Sequence, residues 1–181
     1  KALVARSQIK PSRERYRELP DYKERLGAYE WTLPAESHAD FFVGNMADWW
    51  LQTRPKPESL FMQIGFLGPH PPYDPVASYA KHYLDNPDLP VPDPQPSDLD
   101  DLPSFLKAKR VHDSKVDHDA VLWSLKPERE QLRRLCAYYM ANVSMIDHQV
   151  GEIPDRVERI DAVGAETDAV RHAGRHRHQF V

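Results

Sequence analysis

His70 stands between prolines in the run Gly65-Phe66-Leu67-Gly68-Pro69-His70-Pro71-Pro72-Tyr73-Asp74-Pro75. An imidazole titrates near neutrality, so it can donate a proton to a leaving oxygen or stabilise negative charge, and its proline neighbours hold the backbone without adding amide donors. On spacing alone the same residue also reads as an exposed turn histidine. A second concentration of ligand groups, Asp113, Asp117, His118 and Asp119, lies in Val111-His112-Asp113-Ser114-Lys115-Val116-Asp117-His118-Asp119 and holds the oxygen and imidazole donors that a metal would use. A solvated loop is the simpler reading, because a metal needs convergent ligands and charged loops are common. Asp147 and His148 are neighbours in a helical pattern, about 100° apart around the axis, and would not easily chelate one ion; Asp147 reads as structural. Cys136 falls at apolar helical spacing, where a thiol acts as a small hydrophobic filler, and the Tyr138-Tyr139 pair reads as packing.

These residues need elements to position them. Leu60-Phe61-Met62-Gln63-Ile64-Gly65-Phe66 is an apolar run too short for a typical helix, and it reads as a buried strand that delivers His70 at its end. Ligands in open α/β sheets bind at such strand ends. Before it, Ser37-His38-Ala39-Asp40 resembles a capping signal, and Phe42, Val43, Met46, Trp49 and Trp50 share one face of a helix predicted to run to about Gln52 and to end in Thr53-Arg54-Pro55-Lys56-Pro57. After the proline turn, residues 75–84 suit a short helix, and a further helical piece is expected at 102–111. From Pro127 onward, Leu132, Leu135, Cys136, Tyr139, Val143, Ile146, Val150 and Ile153 recur every three or four residues, which predicts a long amphipathic helix stopped or kinked at Pro154. The first 30 residues, highly charged and with Pro11 and Pro20, read as loop with short helical turns and a poorly ordered start.

Seventeen prolines stand against seven glycines in 181 residues, and they bunch at 87–103, where no regular helix or central strand can form; a long surface loop is expected. A net charge of −4 argues against nucleic acid as a partner. No apolar stretch reaches the ~20 residues needed to cross a bilayer, so no membrane association is expected. The single cysteine allows no internal disulfide and fits a reducing compartment, with the cytoplasm as default.

The stretch from Gln63 to Pro75, together with Tyr138-Tyr139-Met140-Ala141-Asn142-Val143-Ser144-Met145-Ile146-Asp147-His148-Gln149-Val150-Gly151, resembles the sulfatases and phosphonate monoester hydrolases of the alkaline-phosphatase superfamily. The resemblance spans about residues 31–151. It implies an α/β fold, here part of an alkaline-phosphatase-like sandwich with an incomplete sheet and one long amphipathic helix. It implies ester hydrolysis by a formylglycine nucleophile with a divalent metal, calcium or manganese. It also implies that His70, the one catalytic-site residue carried over, contacts the sulfate or phosphonate group of a small-molecule ester. The segment at 111–119, with Trp123-Ser124-Leu125, resembles the phosphonate monoester hydrolase branch.

The rest of that machinery has no match. The family nucleophile lies in C/S-x-P-x-R, whereas Ile9-Lys10-Pro11-Ser12-Arg13 places isoleucine at the reacting position, and Cys136 is followed by Ala137 and Tyr138. Asp147-His148-Gln149 departs from the family's metal-binding Asp-His-Gly, so the metal ligands are expected outside this chain. Residues 1–170 therefore read as a partial catalytic domain. Residues 171–181, basic and rich in histidine, read as non-family sequence from a frameshift or truncation, although a metal-binding tract is an alternative. The chain alone is expected not to turn over substrate. An inactive remnant or a helix-mediated interaction module is the alternative to a hydrolase piece.

Overall fold

The computed structural model describes residues 9–53 and 60–176; the predicted helix stop at 54–57, the start of the chain and the last five residues lie outside the described residues. Among the described residues five α-helices follow one another: α1 (Arg13–Arg17), α2 (Ala39–Thr53), α3 (Ala77–Leu84), α4 (Ser104–Asp113) and α5 (Arg129–His176). The 87–103 loop is irregular apart from one 3-10 turn, Pro96–Leu99.

The expected α/β sandwich is not formed. Among the described residues no strand ladder exists, and pairing is limited to isolated bridges, Ala28 with Tyr73 and Trp31 with Val76 in parallel, and His118 with Val121 antiparallel. The first two come from one short extended pair, in which Tyr73 N–H donates to Gly27 O (2.7 Å), Tyr29 N–H to Tyr73 O (2.8 Å) and Trp31 N–H to Pro75 O (3.3 Å). Pro72 and Pro75 have no amide donor, so that ladder cannot lengthen. Residues 60–67 have no regular secondary structure and pair with no other strand. Their side chains still alternate as in a strand, with Phe61 91% and Leu67 60% exposed and Met62, Ile64 and Phe66 half-buried between them. The local pattern was therefore strand-like, but a strand forms only where a neighbour accepts its backbone hydrogen bonds.

Packing centres on α5, which α2 and α3 both cross. The buried stripe of α5 is Ala137, Tyr138, Ala141, Asn142, Met145 and Gln149, offset around the helix from the predicted apolar face. Tyr139, Val143 and Val150 from that face are exposed. Small side chains at successive turns let neighbouring helices approach closely, which apolar periodicity alone does not reveal. α2 shows the same rotation: Phe42, Met46, Trp49 and Trp50 are exposed, while Asp40, Gly44 and Leu51 are buried. A Cβ on Gly44 would stand 2.1 Å from Oε1 and 3.1 Å from Cβ of the buried Gln149, so a larger residue here must displace that side chain.

α3 is tied to α5 by Tyr83 and Ser144, whose hydroxyls lie 2.5 Å apart, and by the Arg133 guanidinium. That guanidinium donates to Leu84 O (3.0 Å) and Asn86 O (2.6 Å), satisfying carbonyls that the end of α3 leaves open. α5 runs through Pro154 to His176 instead of stopping. An interior proline forfeits the bond to the carbonyl four residues back, here that of Val150. A smaller core joins the two halves of the chain: Tyr16 stacks on Tyr29 with ring centroids 4.0 Å apart, against Ala120.

Candidate functional site

His70 lines an open cleft of about 590 Å³ whose walls come from four parts of the chain. Residues 10–16 form one wall, Trp31 and the start of α2 a second, the 67–74 turn a third, and Asn142 of α5 the floor. His70 is 59% exposed, and its Nδ1 lies 2.8 Å from Pro71 O. A carbonyl oxygen only accepts, so Nδ1 carries the proton and Nε2 is the atom left for chemistry. Nε2 lies 3.6 Å from Asp119 Oδ2, and Arg13 binds the other oxygen of that carboxyl at 2.6 Å. Asp119 and Ala120 sit at φ 58° and 61°, a left-handed turn that places the carboxyl between His70 and Arg13.

Behind His70 is a polar frame that sequence reasoning missed. His38 and Asp40 are almost fully buried at the start of α2. The Asp40 amide donates to His38 Nδ1 (3.2 Å), so the cap of α2 is the His38 ring and not the Ser37 hydroxyl. With Nδ1 accepting, Nε2 carries the proton and faces Asp74 Oδ1 at 3.5 Å. Asp74 Oδ2 accepts from the Tyr16 hydroxyl at 2.7 Å. Burial, and then the adjacent Asp74 carboxyl, push the Tyr16 hydroxyl above the ordinary tyrosine range, so it remains a donor. Asp40 Oδ1 accepts from Leu67 N–H (2.8 Å) and Gly68 N–H (3.0 Å), holding the chain two residues before His70. A Cβ at Gly68 would come within 2.6 Å of Asp40 Oδ2, so a larger residue here must shift the carboxyl that holds the turn. The signal for the frame was present in two polar residues, His38 and Asp40, beside an apolar helix; taken as a capping pattern, it hid their inward direction.

The acidic loop does not form one cluster. Asp117 pairs with Arg17 through Oδ1 at 2.9 Å and Oδ2 at 3.0 Å, and Asp119 with Arg13 and His70. Asp113 and His118 instead meet His112. Asp147 and His148 are exposed on α5, His148 with its ring edge towards Tyr79. Cys136 is half-buried against the α3–α5 core, and burial raises its thiol, as suits a filler. Ile9 is exposed, whereas Lys10, Pro11, Ser12 and Arg13 line the same cleft as His70.

The cleft does not fit the divalent metal that the resemblance implies. Both oxygens of Asp74 face donors, Asp40 Oδ1 already receives two amides, and His38 has both ring nitrogens engaged. Asn142 Oδ1 is the one buried side-chain atom of the described lining without a hydrogen-bond partner, against the six to eight oxygens calcium takes. Arg13, Lys10 and the His70 imidazole are the groups of the cleft that can receive an anion, against the carboxylates of Glu14, Asp40 and Asp74 that line it as well. No protein-family model and no curated protein matches the chain.

Proposed function

We propose that the chain is a piece of a sulfuric-ester or phosphonate-monoester hydrolase in which His70 contacts the sulfate or phosphonate group. The observation that carries this reading is the presentation of His70: Nδ1 is committed to Pro71 O, Nε2 stands 3.6 Å from Asp119 Oδ2, and the residue lines a cleft together with Arg13 and Lys10. Protonated at Nε2, His70 donates a hydrogen bond to an anionic oxygen, or a proton to a departing ester oxygen. Asp119 lies between Arg13 and His70, the position an incoming anion would contest. The formylglycine nucleophile and the divalent metal of the family have no counterpart in this cleft, so the chain's own contribution is anion binding rather than turnover. The substrate class is a small-molecule ester, and the single cysteine suggests a cytoplasmic setting; among the described residues no helix is long and apolar enough to cross a membrane.

The test is titration of the chain with inorganic sulfate and with phenylphosphonate, followed by NMR of the imidazole signals, with His70→Ala identifying the His70 resonance. Saturable shifts of the His70 signal and loss of anion affinity in His70→Ala are expected. Unchanged affinity in His70→Ala sinks the reading, and so does turnover of an aryl sulfate by the His70→Ala chain. One observation favours a second reading, a non-catalytic interaction module: Tyr139, Val143 and Val150 leave α5 with an apolar stripe facing solvent. Under that reading the anion affinity does not depend on His70.

A further inference from the structure

α4 ends in His112 and Asp113, and the chain turns back so that residues 118–121 lie beside that end. The turn is closed on itself by His118 N–H to Val121 O (3.2 Å) and Val121 N–H to His118 O (2.9 Å), and it is tied to α4 by Trp123 N–H to Asp113 O (3.1 Å). The backbone therefore fixes His118 opposite the last turn of the helix. Asp113 Oδ1 lies 3.3 Å from His112 Nδ1 and 3.9 Å from His118 Nε2, and the three atoms all fall within 4.8 Å of one another. The two rings are 5.5 Å apart and tilted by 30°.

Nitrogen and oxygen ligands at about 2.0–2.1 Å from a tetrahedral ion stand about 3.3 Å apart. One pair already meets that spacing, and the others reach it by rotations that exposed imidazoles can make. Asp113 Oδ2 is held from one turn earlier by the Lys109 ammonium, which aims Oδ1 at the histidines. Two imidazoles and one carboxylate suit zinc, cobalt or nickel; calcium and magnesium prefer oxygen alone.

We infer that His112, Asp113 and His118 form a binding site for a borderline divalent transition-metal ion such as zinc, with the fourth position open to water. His118 lies between Asp117, held by Arg17, and Asp119, which faces His70. An ion on His118 thus pins the loop whose Asp119 carboxyl faces His70. This site is separate from the metal of the hydrolase reading and stands whether or not that reading holds.

The experiment is calorimetric titration of the full chain with zinc, repeated with cobalt to read the visible absorption of the bound ion. His172, His176 and His178 are first changed to alanine, so that the histidine-rich end does not compete. One zinc per chain with micromolar affinity is expected. His112→Ala and His118→Ala each abolish binding at that concentration, and Lys109→Met changes affinity by about tenfold, as loss of an outer-shell partner does. His70→Ala leaves zinc affinity unchanged. Far-ultraviolet circular dichroism of each variant shows that it folds, and His112→Gln serves if the alanine variant does not. Absence of zinc binding in the starting chain overturns the site, as does binding of equal affinity in the His112 and His118 variants.

Discussion

Replacing Asp40 with alanine removes the acceptor that Leu67 and Gly68 share, and this is the most demanding test of the frame behind His70. Asp40 is 1% exposed, and its Oδ1 receives both amides at 3.0 Å or less. Each donor left unmet costs about 1–3 kcal/mol when fully buried, and less here because Leu67 borders solvent. Loss of a negative charge in the first turn of α2 adds about 0.3–1 kcal/mol. The expected destabilisation is therefore about 3–5 kcal/mol, or a fall in Tm of roughly 6–20 °C for a chain of this size. Asp40→Asn keeps an oxygen acceptor and loses only the charge, so it should lose about half as much, because charge-assisted hydrogen bonds are about twice as strong as neutral ones. Urea unfolding followed by tryptophan fluorescence gives both values, and the sulfate titration gives the effect on the site. Because the Asp40 bonds fix the backbone two residues before His70, anion affinity should fall in Asp40→Ala under conditions where the chain is still folded. Equal stability of the Asn and Ala variants, or a loss below about 1 kcal/mol, would refute the reasoning, since the two amides would then not depend on that oxygen.

Gly44→Ala should destabilise despite alanine's advantage of about 1 kcal/mol in a helix, because its Cβ meets Gln149 Oε1 at 2.1 Å and Gln149 Cβ at 3.1 Å; Gln149→Ala added to it should recover most of the loss, and simple additivity in urea unfolding would show the contact is not the cause. Stability should fall as pH rises past about 10, the ordinary tyrosine value. The folded pKa of Tyr16 is raised, so its contribution is complete below the unfolded value and is lost with increasing pH as the unfolded chain ionises first. In Tyr16→Phe the alkaline slope of stability against pH should be shallower, and an unchanged slope would exclude Tyr16 as its source. The exposed faces carrying Phe42, Met46, Trp49 and Trp50 should bind the dye ANS in the native state, and Trp49→Lys with Trp50→Lys should reduce that fluorescence.

The long helix and its neighbours were legible because their apolar residues recur at helical intervals, and α3 and α4 fell within a few residues of the expected spans. Which side of each helix is buried was not legible. On α5 the buried side is marked by Ala137 and Ala141, residues that periodicity counts as weakly apolar, while Tyr139, Val143 and Val150 count strongly and are exposed. Distance of approach, set by the smallest side chains, decided the matter against hydrophobicity. The sheet failed for a different reason: 60–67 has strand alternation, but pairing is a property of two segments, and the segment that does pair, 73–76, is interrupted by proline. His70 could be read from its proline setting. Its partners could not, because Arg13 and Asp119 reach it from 57 and 49 residues away in sequence, with nothing local to link them.

The polar frame shows why His70 is both exposed and fixed. An exposed imidazole on a flexible turn would average over many positions, and a buried one would not meet a ligand. Here the turn is anchored at both ends by groups that are not themselves on offer: Asp40 holds residues 67 and 68, and Tyr16 with His38 holds Asp74. Each anchor uses up donors or acceptors that would otherwise compete for a ligand, which leaves Lys10, Glu14, Asn142 and the Arg13 and His70 side chains, both of them facing Asp119, to define what the cleft can accept. A site built this way selects by charge and by the reach of His70. Asp40 Oδ1 and both oxygens of Asp74 are taken by the bonds that order the turn, so ordering His70 and binding a cation in this cleft are alternatives that those three oxygens cannot serve together.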